Sequence, residues 1–101
     1  MIRHIVMWKL DDSYTAEEKK KFIEKFSSRL LALNGKIEQL KSISVHENAA
    51  QAPSANYDML LDTSFNSIED LKSYAVHPEH VEVVEWSKPY KKERSCVDYE
   101  Y

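Results

Sequence analysis

The sequence has few of the residues that define disulfide-rich, fibrous or membrane-spanning chains. Its single cysteine, Cys96, cannot form a disulfide within the chain. Only one glycine and three prolines occur in 101 residues, and no tract of low complexity is present. The longest apolar runs, such as Ile5 to Trp8, fall far short of the roughly 20 residues that cross a bilayer. These absences predict an ordinary globular chain with no transmembrane helix and no membrane partner.

The sequence also lacks a concentrated excess of positive charge. Its 14 lysine and arginine residues stand against 17 aspartate and glutamate residues, for a formal net charge of −3. Of its two basic clusters, Lys19 to Lys21 directly follows Glu17 and Glu18 in a helical pattern, which is typical of a solvated face. The other runs from Lys91 to Arg94. A nucleic-acid binder needs a basic surface that neutralises several phosphates, so we expect no nucleic-acid partner.

Nothing at the beginning of the sequence has the pattern of a secretory signal. Met1 to His4 leads directly into an alternating strand pattern, and Lys9 interrupts its apolar character. A single cysteine without an export signal fits a reducing compartment. We therefore predict a cytoplasmic protein in which Cys96 is a structural thiol in a strand.

Alternating apolar and polar residues predict four β-strands. They cover residues 2–10, 39–47, 57–65 and 94–101. After the first strand, apolar residues recur at helical spacing from the capping-box motif at Thr15 to Glu18 up to Asn34-Gly35, where the only glycine suits a helix end. Ser67 predicts the start of a second helix, and Pro78 predicts the start of a third.

The order of these elements predicts an α+β fold. Strand, helix, strand, strand, helix, strand is the ferredoxin-like βαββαβ arrangement with a four-stranded antiparallel sheet. The length allows one hydrophobic core, so we expect residues 1–101 to form a single domain.

Helices cover one face of such a sheet and leave the other face open. We expect some of the following apolar residues to lie on that open face: Val6, Trp8, Met59 or Leu60, Val97 and Tyr99. An apolar face of this size in water promotes aggregation, so we predict a homodimer that packs sheet on sheet.

Three groups that exchange protons lie close together around Pro78. Tyr74, His77 and His80 fall between positions 74 and 80. Pro78 disfavours helical geometry at the preceding residue, so we expect one helix to end and another to begin there, with the ring of His77 bonded to backbone. The break turns the chain and can bring the Tyr74 hydroxyl and His80 imidazole toward a common space. Two interpretations remain open, a ligand-facing pair and a purely structural hydrogen-bonded pair.

Two further histidines lie in predicted strands. His4 shares a strand face with Trp8, and it is either a half-buried residue bonded to a neighbour or part of a pocket wall. His46 is expected to be exposed. A metal site at His77 and His80 is disfavoured because the proline spoils the regular helical face and no third ligand is evident. We therefore predict neither a metal nor a cofactor.

Three segments of the chain resemble the stress-responsive A/B barrel (Dabb) family. They are Met1 to Leu10, Tyr57 to Leu71 and Tyr74 to His80, and the resemblance covers essentially the whole chain. It implies a dimeric α+β barrel in which two ferredoxin-like protomers close their sheets together. The family includes a plant polyketide cyclase that performs an intramolecular aldol condensation with a tyrosine and a histidine, without a metal or organic cofactor.

The resemblance also implies roles for particular residues. By motif position, the tyrosine and histidine of the cyclase correspond to Tyr74 and His80. His4 matches a histidine of the same pocket. We therefore treat Tyr74 and His80 as candidate catalytic residues, and His4 and Trp8 as candidate substrate-binding residues. An imidazole with a pKa of about 6.5 can take a proton from carbon next to a carbonyl, and a phenol can stabilise the resulting oxyanion.

Three functions are compatible with these observations. The first is a small dimeric protein with an apolar cleft that binds or transforms a small carbonyl compound, as a cofactor-independent lyase, cyclase or isomerase. The second is a non-enzymatic stress or assembly module, in which the motif only stabilises the barrel. The third is the cofactor-independent oxygenase chemistry of the related dimeric barrel monooxygenases, for which the sequence has no distinct motif.

Overall fold

A computed structural model describes residues 1–101 as one antiparallel sheet with helices on one side. The elements in chain order are β1 (Ile2–Leu10), α1 (Ala16–Leu31), β2 (Ser42–Glu47), β3 (Met59–Phe65), α2 (Ile68–Val76), α3 (Pro78–Ser87), a 3-10 turn (Lys88–Tyr90) and β4 (Lys91–Glu100). The strand order is β2-β3-β1-β4, with every neighbouring pair antiparallel. This confirms the predicted ferredoxin-like α+β fold. None of the helices has the length and apolar character needed to cross a membrane.

Helix α1 begins where its sequence motif predicts. The Thr15 hydroxyl accepts the Glu18 backbone N–H at 3.1 Å, and the Glu18 carboxylate accepts the Thr15 N–H at 2.8 Å. These two bonds complete the capping box and satisfy amides that have no partner inside the helix. The helix then buries Phe22, Phe26 and Leu30 against the sheet, so its apolar stripe forms core.

Four predicted boundaries were wrong, and two of them lie between α1 and β2. Helix α1 ends at Leu31, and Gly35 takes its positive φ of 86° in the turns that follow instead of ending the helix. These turns bury Leu33, Ile37 and Leu40, which continue the three- and four-residue spacing of the helix although the backbone is no longer helical, and β2 starts only at position 42.

The third strand also starts later than predicted, and the fourth starts earlier. The Asp58 carboxylate accepts the Leu10 N–H at 2.7 Å and thereby replaces a backbone partner, so β3 starts at Met59. Strand β4 begins at Lys91 because this residue already pairs with Leu10, although its charged residues show no alternation in sequence.

The two faces of the sheet differ from the predicted assignment. Val6, Trp8 and Met59 are buried on the helix side, so they do not reach the open face. On that face Leu60 pairs with Met7, Val97 pairs with Ile5, and Tyr99 pairs with Arg3. Val97 is 62% exposed and Tyr99 is 42% exposed. The register therefore leaves apolar side chains of β1, β3 and β4 on the open face.

The end of α1 offers a matched pair of leucines that tests this packing. Leu30 is 1% exposed and Leu31 is 45% exposed. We expect Leu30→Ala to lower the free energy of unfolding by about 2–5 kcal/mol, because it leaves a cavity in the core. Leu31→Ala should change it by about 0.5 kcal/mol or less. Urea titration followed by circular dichroism measures both, and equal losses would contradict this placement of the helix.

Candidate functional site

A cleft of about 620 Å³ opens between the helix side of the sheet and the three helices. Strand β1 contributes His4, Val6 and Trp8 to its wall, while Tyr74 comes from α2 and His80 from α3. The structure thus brings together in one wall all four residues singled out in the sequence, namely Tyr74, His80, His4 and Trp8. His77 and His46 do not line this cleft.

Tyr74 is the most deeply buried polar residue of the cleft wall. It is 1% exposed, and its ring centroid lies 4.3 Å from that of His80 and 5.0 Å from that of Phe65. Its hydroxyl has no hydrogen-bond partner within the protein. Burial raises the pKa of the Tyr74 phenol well above its ordinary value of 10.0, so the group stays protonated and serves as a donor. A buried hydroxyl without a partner costs about 1–3 kcal/mol.

His80 lies in the first turn of α3 with one ring nitrogen already engaged. Its Nδ1 lies 3.0 Å from the carbonyl oxygen of Ala75. Because a carbonyl can only accept, Nδ1 carries the proton and Nε2 remains the basic nitrogen. Burial is the largest cause that lowers the pKa of His80, and the bond to Ala75 opposes it. At neutral pH the imidazole is therefore neutral and able to accept a proton at Nε2.

The break between α2 and α3 sets the position of His80. His77 has extended backbone angles (φ −63°, ψ 133°), as expected before a proline, and Pro78 opens the next helix. The Nδ1 atom of His77 accepts the Glu79 backbone N–H at 3.2 Å, so this residue caps the helix as predicted. The turn brings the ring of His80 back over α2, next to Tyr74.

His4 is both bonded to a neighbour and part of the pocket wall, the two interpretations that the sequence left open. It lines the cleft, and its Nδ1 also lies 2.5 Å from the Asp98 carboxylate of the adjacent strand β4. The Cys96 Sγ atom lies 3.5 Å from both the His4 Nδ1 and the Asp98 Oδ1 atoms. A carboxylate that accepts from Nδ1–H fixes the His4 tautomer and leaves its Nε2 as the basic nitrogen.

The sequence reasoning missed the contribution of β4 to the cleft. Lys91, Arg94, Cys96 and Asp98 all line it. Alternation within β4 places Arg94, Cys96 and Asp98 on one face, but only the pairing with β1 places that face beside Trp8, Val6 and His4. Cys96 lies in a strand as predicted, but the structural role was wrong, because the residue is exposed at the cleft.

Three of these side chains have the chemistry of metal ligands. The Nδ1 atom of His4, the thiol of Cys96 and the carboxylate of Asp98 lie within 4.8 Å of one another. Nitrogen, sulfur and carboxylate oxygen are ligands that zinc accepts. The hydrogen bond between His4 and Asp98 already uses two of these atoms, so a metal would have to replace that bond. His77 and His80, the pair considered from sequence, each use Nδ1 for a backbone contact.

Comparisons with known proteins agree with this fold. The model of the stress responsive A/B barrel domain matches residues 2–101. The stress-response A/B barrel domain-containing protein DABB1 of Arabidopsis thaliana is 28% identical over 99 residues, which are 98% of this chain. The chain spans about half of that relative, 46% of its length.

Two solved structures are similar over nearly the whole chain. A dimeric protein of unknown function with a ferredoxin-like fold from Bacteroides fragilis has a TM-score of 0.91 and 36% sequence identity, and the match covers 99% of this chain and 95% of that chain. The hydroxynitrile lyase of Passiflora edulis has a TM-score of 0.78 over 97% of this chain and 90% of that chain, but at 15% identity the likeness extends to the fold alone. Since the family model spans almost every residue of the chain, the protein belongs to the stress responsive A/B barrel domain family.

Proposed function

We propose that this protein binds a small carbonyl compound in its cleft and transforms it by acid–base chemistry, as a cyclase, isomerase or lyase that needs no cofactor. Tyr74 donates a hydrogen bond to the carbonyl oxygen, and His80 takes a proton from the adjacent carbon. His4 and Trp8 hold the substrate. The observation that carries this proposal is the buried Tyr74 hydroxyl, which lines the cleft without a partner in the protein.

The environment of Tyr74 suits an oxyanion. A carbonyl oxygen of the ligand supplies the acceptor that the hydroxyl lacks. As negative charge develops on that oxygen, the hydrogen bond strengthens, and it does so in a buried setting where electrostatic interactions are less screened. The indole N–H of Trp8 is a second buried donor of the cleft wall without a partner in the protein.

The environment of His80 suits a general base. Its neutral Nε2 accepts the proton of the carbon next to the carbonyl, and the electron pair of the broken C–H bond forms an enolate whose oxygen faces Tyr74. In an aldol closure the enolate carbon attacks a second carbonyl of the same molecule. The imidazolium then returns its proton to the resulting alkoxide, so the enzyme ends in its starting state.

The alternatives have less support from particular residues. A purely structural role for the motif does not account for a buried tyrosine hydroxyl that forms no hydrogen bond in the protein. No side-chain arrangement in the cleft points specifically to oxygenase chemistry. The fold is shared with a hydroxynitrile lyase, so it is compatible with an enzyme.

We further propose that the protein is a homodimer in which the open sheet faces pack together. The exposed Val97 and Tyr99 lie on this face, next to Ile5 and Arg3 of the central strand. The similar Bacteroides fragilis protein is described as dimeric with the same fold. Burying both apolar faces removes them from water without changing the cleft, which lies on the helix side.

Deuterium exchange tests the two catalytic roles directly. With methyl 4-acetylbenzoate in D₂O, we expect the protein to accelerate exchange of the acetyl protons, as measured by proton NMR. His80→Gln should lower this acceleration by about 100-fold, because it removes the general base. His77→Asn is the matched control, since asparagine retains a helix cap, and it should keep the activity. Equal activity in all three proteins would contradict a catalytic role for His80.

Tyr74→Phe separates a ligand-binding hydroxyl from a structural one. We expect the ligand-free variant to keep its free energy of unfolding or gain about 1 kcal/mol, because it loses only an unpaired buried hydroxyl. Affinity for methyl 4-acetylbenzoate should fall about tenfold. Denaturant titration and NMR titration measure the two quantities. A clear loss of stability with unchanged affinity would refute the proposed role.

The pH dependence of exchange follows from the lowered pKa of His80. Acid protonates Nε2, so the rate that depends on His80 should rise with pH and reach half its maximum below about 6.5, the ordinary histidine pKa. Free energy of unfolding should fall on acidification through the same range, because the unfolded chain binds this proton more readily. NMR titration of the imidazole protons checks the pKa, and a value above 7 would contradict the expectation.

A charged substitution on the open sheet face tests whether the protein is a dimer. Val97→Asp should shift the protein from dimer to monomer, because it buries a carboxylate at the interface. Val81→Asp on α3 is the matched control, since Val81 is 40% exposed and lies on the helix side. Sedimentation equilibrium distinguishes the two states. A monomeric wild-type protein, or a dimeric Val97→Asp variant, would contradict sheet-on-sheet packing.

A further inference from the structure

Positive charge is concentrated around the cleft, although the whole chain is acidic. The cleft wall contains four cationic side chains, those of Lys72, Lys88, Lys91 and Arg94. Its only carboxylate belongs to Asp98, which is bonded to His4. The formal net charge of the protein is −3. The cleft is therefore a local region of positive potential on a molecule that otherwise repels anions.

Most of these cations have no partner of opposite charge. Lys88 is paired with Glu85 at 2.8 Å. Lys72, Lys91 and Arg94 take part in none of the ion pairs of the protein, which involve Arg3, His4 and the lysines Lys19, Lys21, Lys88 and Lys92. Elsewhere on the surface, cations such as Lys19 and Lys92 share the carboxylate of Asp12. Other lysines such as Lys36 are also unpaired, but Lys72, Lys91 and Arg94 are the unpaired cations that line the cleft.

Lys91 is the least solvated of them. It is half-buried, and its Nζ atom lies 5.3 Å from the ring centroid of Trp8 and 5.6 Å from that of Phe26. Burial and the nearby charge of Arg94 lower the pKa of Lys91. The aromatic rings provide part of the stabilisation that water would give, but they do not neutralise the charge. A half-buried cation without a carboxylate partner is stabilised when a bound anion supplies the opposite charge.

The position of these cations relative to the proposed reacting groups defines the ligand further. Along β4, Arg94 lies beside Trp8, and Asp98 lies beside His4. In an extended strand, Arg94 and Cys96 are about 7 Å apart, and Arg94 and Asp98 are about 13 Å apart. Between the two ends the floor is apolar, formed by Val6 and Leu61. Tyr74 and His80 belong to the His4 end, since the ring centroid of Phe65 lies 6.5 Å from that of His4 and 5.0 Å from that of Tyr74. A ligand that spans the cleft therefore needs an anionic end, an apolar middle and a carbonyl end.

We propose that the ligand is a keto acid with an apolar or aromatic body, whose carboxylate is bound by Lys91 and Arg94 while its carbonyl lies at Tyr74 and His80. This inference builds on the function proposed above and names its substrate class. Arg94 provides two parallel donors that match a carboxylate, and Lys91 provides a point charge beside them. The apolar body replaces water over Val6 and Leu61.

Two compounds that differ only in charge test this inference. 4-Acetylbenzoate has a carboxylate opposite its ketone, and methyl 4-acetylbenzoate is its neutral ester. Isothermal titration calorimetry with wild-type protein should show about tenfold tighter binding of the acid, the size expected for hydrogen bonds to a charged group. Added NaCl should weaken binding of the acid and leave the ester unaffected.

Substitution of single cations shows which of them cause the tighter binding of the acid. Lys91→Met and Arg94→Met should each bring the ratio of acid affinity to ester affinity close to one, and this ratio is the readout because both residues line the cleft. Lys36→Met is the matched control, because Lys36 is exposed and lies outside the cleft, and it should leave both affinities unchanged.

The outcomes distinguish this inference from the function on which it builds. Equal binding of acid and ester by the wild-type protein overturns the carboxylate site, while binding and exchange of the ester still support the Tyr74 and His80 chemistry. Preference for the acid that depends on Lys91 and Arg94, without any exchange at the acetyl group, supports the carboxylate site and contradicts the catalytic proposal. Failure of both compounds to bind contradicts both.

Discussion

The central position of β1 is the constraint on which the rest of the structure depends. This strand is bonded along its length to β3 on one side and β4 on the other. Its inward side chains alternate at every second residue, so the same face supplies both core and cleft. Trp8 packs against Phe26 of α1 at a centroid distance of 4.9 Å and also lines the cleft. Any shift of one residue in the register of β1 would turn His4 and Trp8 to the open face together.

The second determinant of the site is local, and it acts through backbone geometry. Pro78 ends α2 and allows His77 to cap α3, so His80 comes to lie over Ala75 and Tyr74. Each interaction is modest, but together they select the tautomer of His80 and the position of its ring beside Tyr74. The site is thus assembled from one long-range pairing, between β1 and β4, and one short-range break in a helix.

These two origins explain how much could be predicted from sequence. The helix break, the His77 cap and the capping box at Thr15 depend on residues within one or two turns, and all were predicted correctly. The predicted end of α1 was wrong because Leu33, Ile37 and Leu40 continue the helical spacing of buried residues, whereas the backbone there forms turns. The contributions of Lys91, Arg94 and Asp98 were missed because they depend on the register between strands at opposite ends of the chain.

The charges of the cleft connect recognition of a ligand with the basicity of His80. Lys91 and Arg94 each lower the pKa of this histidine by repulsion, in addition to the larger effect of burial. A carboxylate bound between them would offset their charge and thereby raise the affinity of Nε2 for a proton. By thermodynamic linkage, protonation of His80 would in turn favour the bound anion to the same extent. In the proposed reaction an anionic substrate would therefore strengthen the base that acts on it, whereas a neutral compound of the same shape would meet a weaker one.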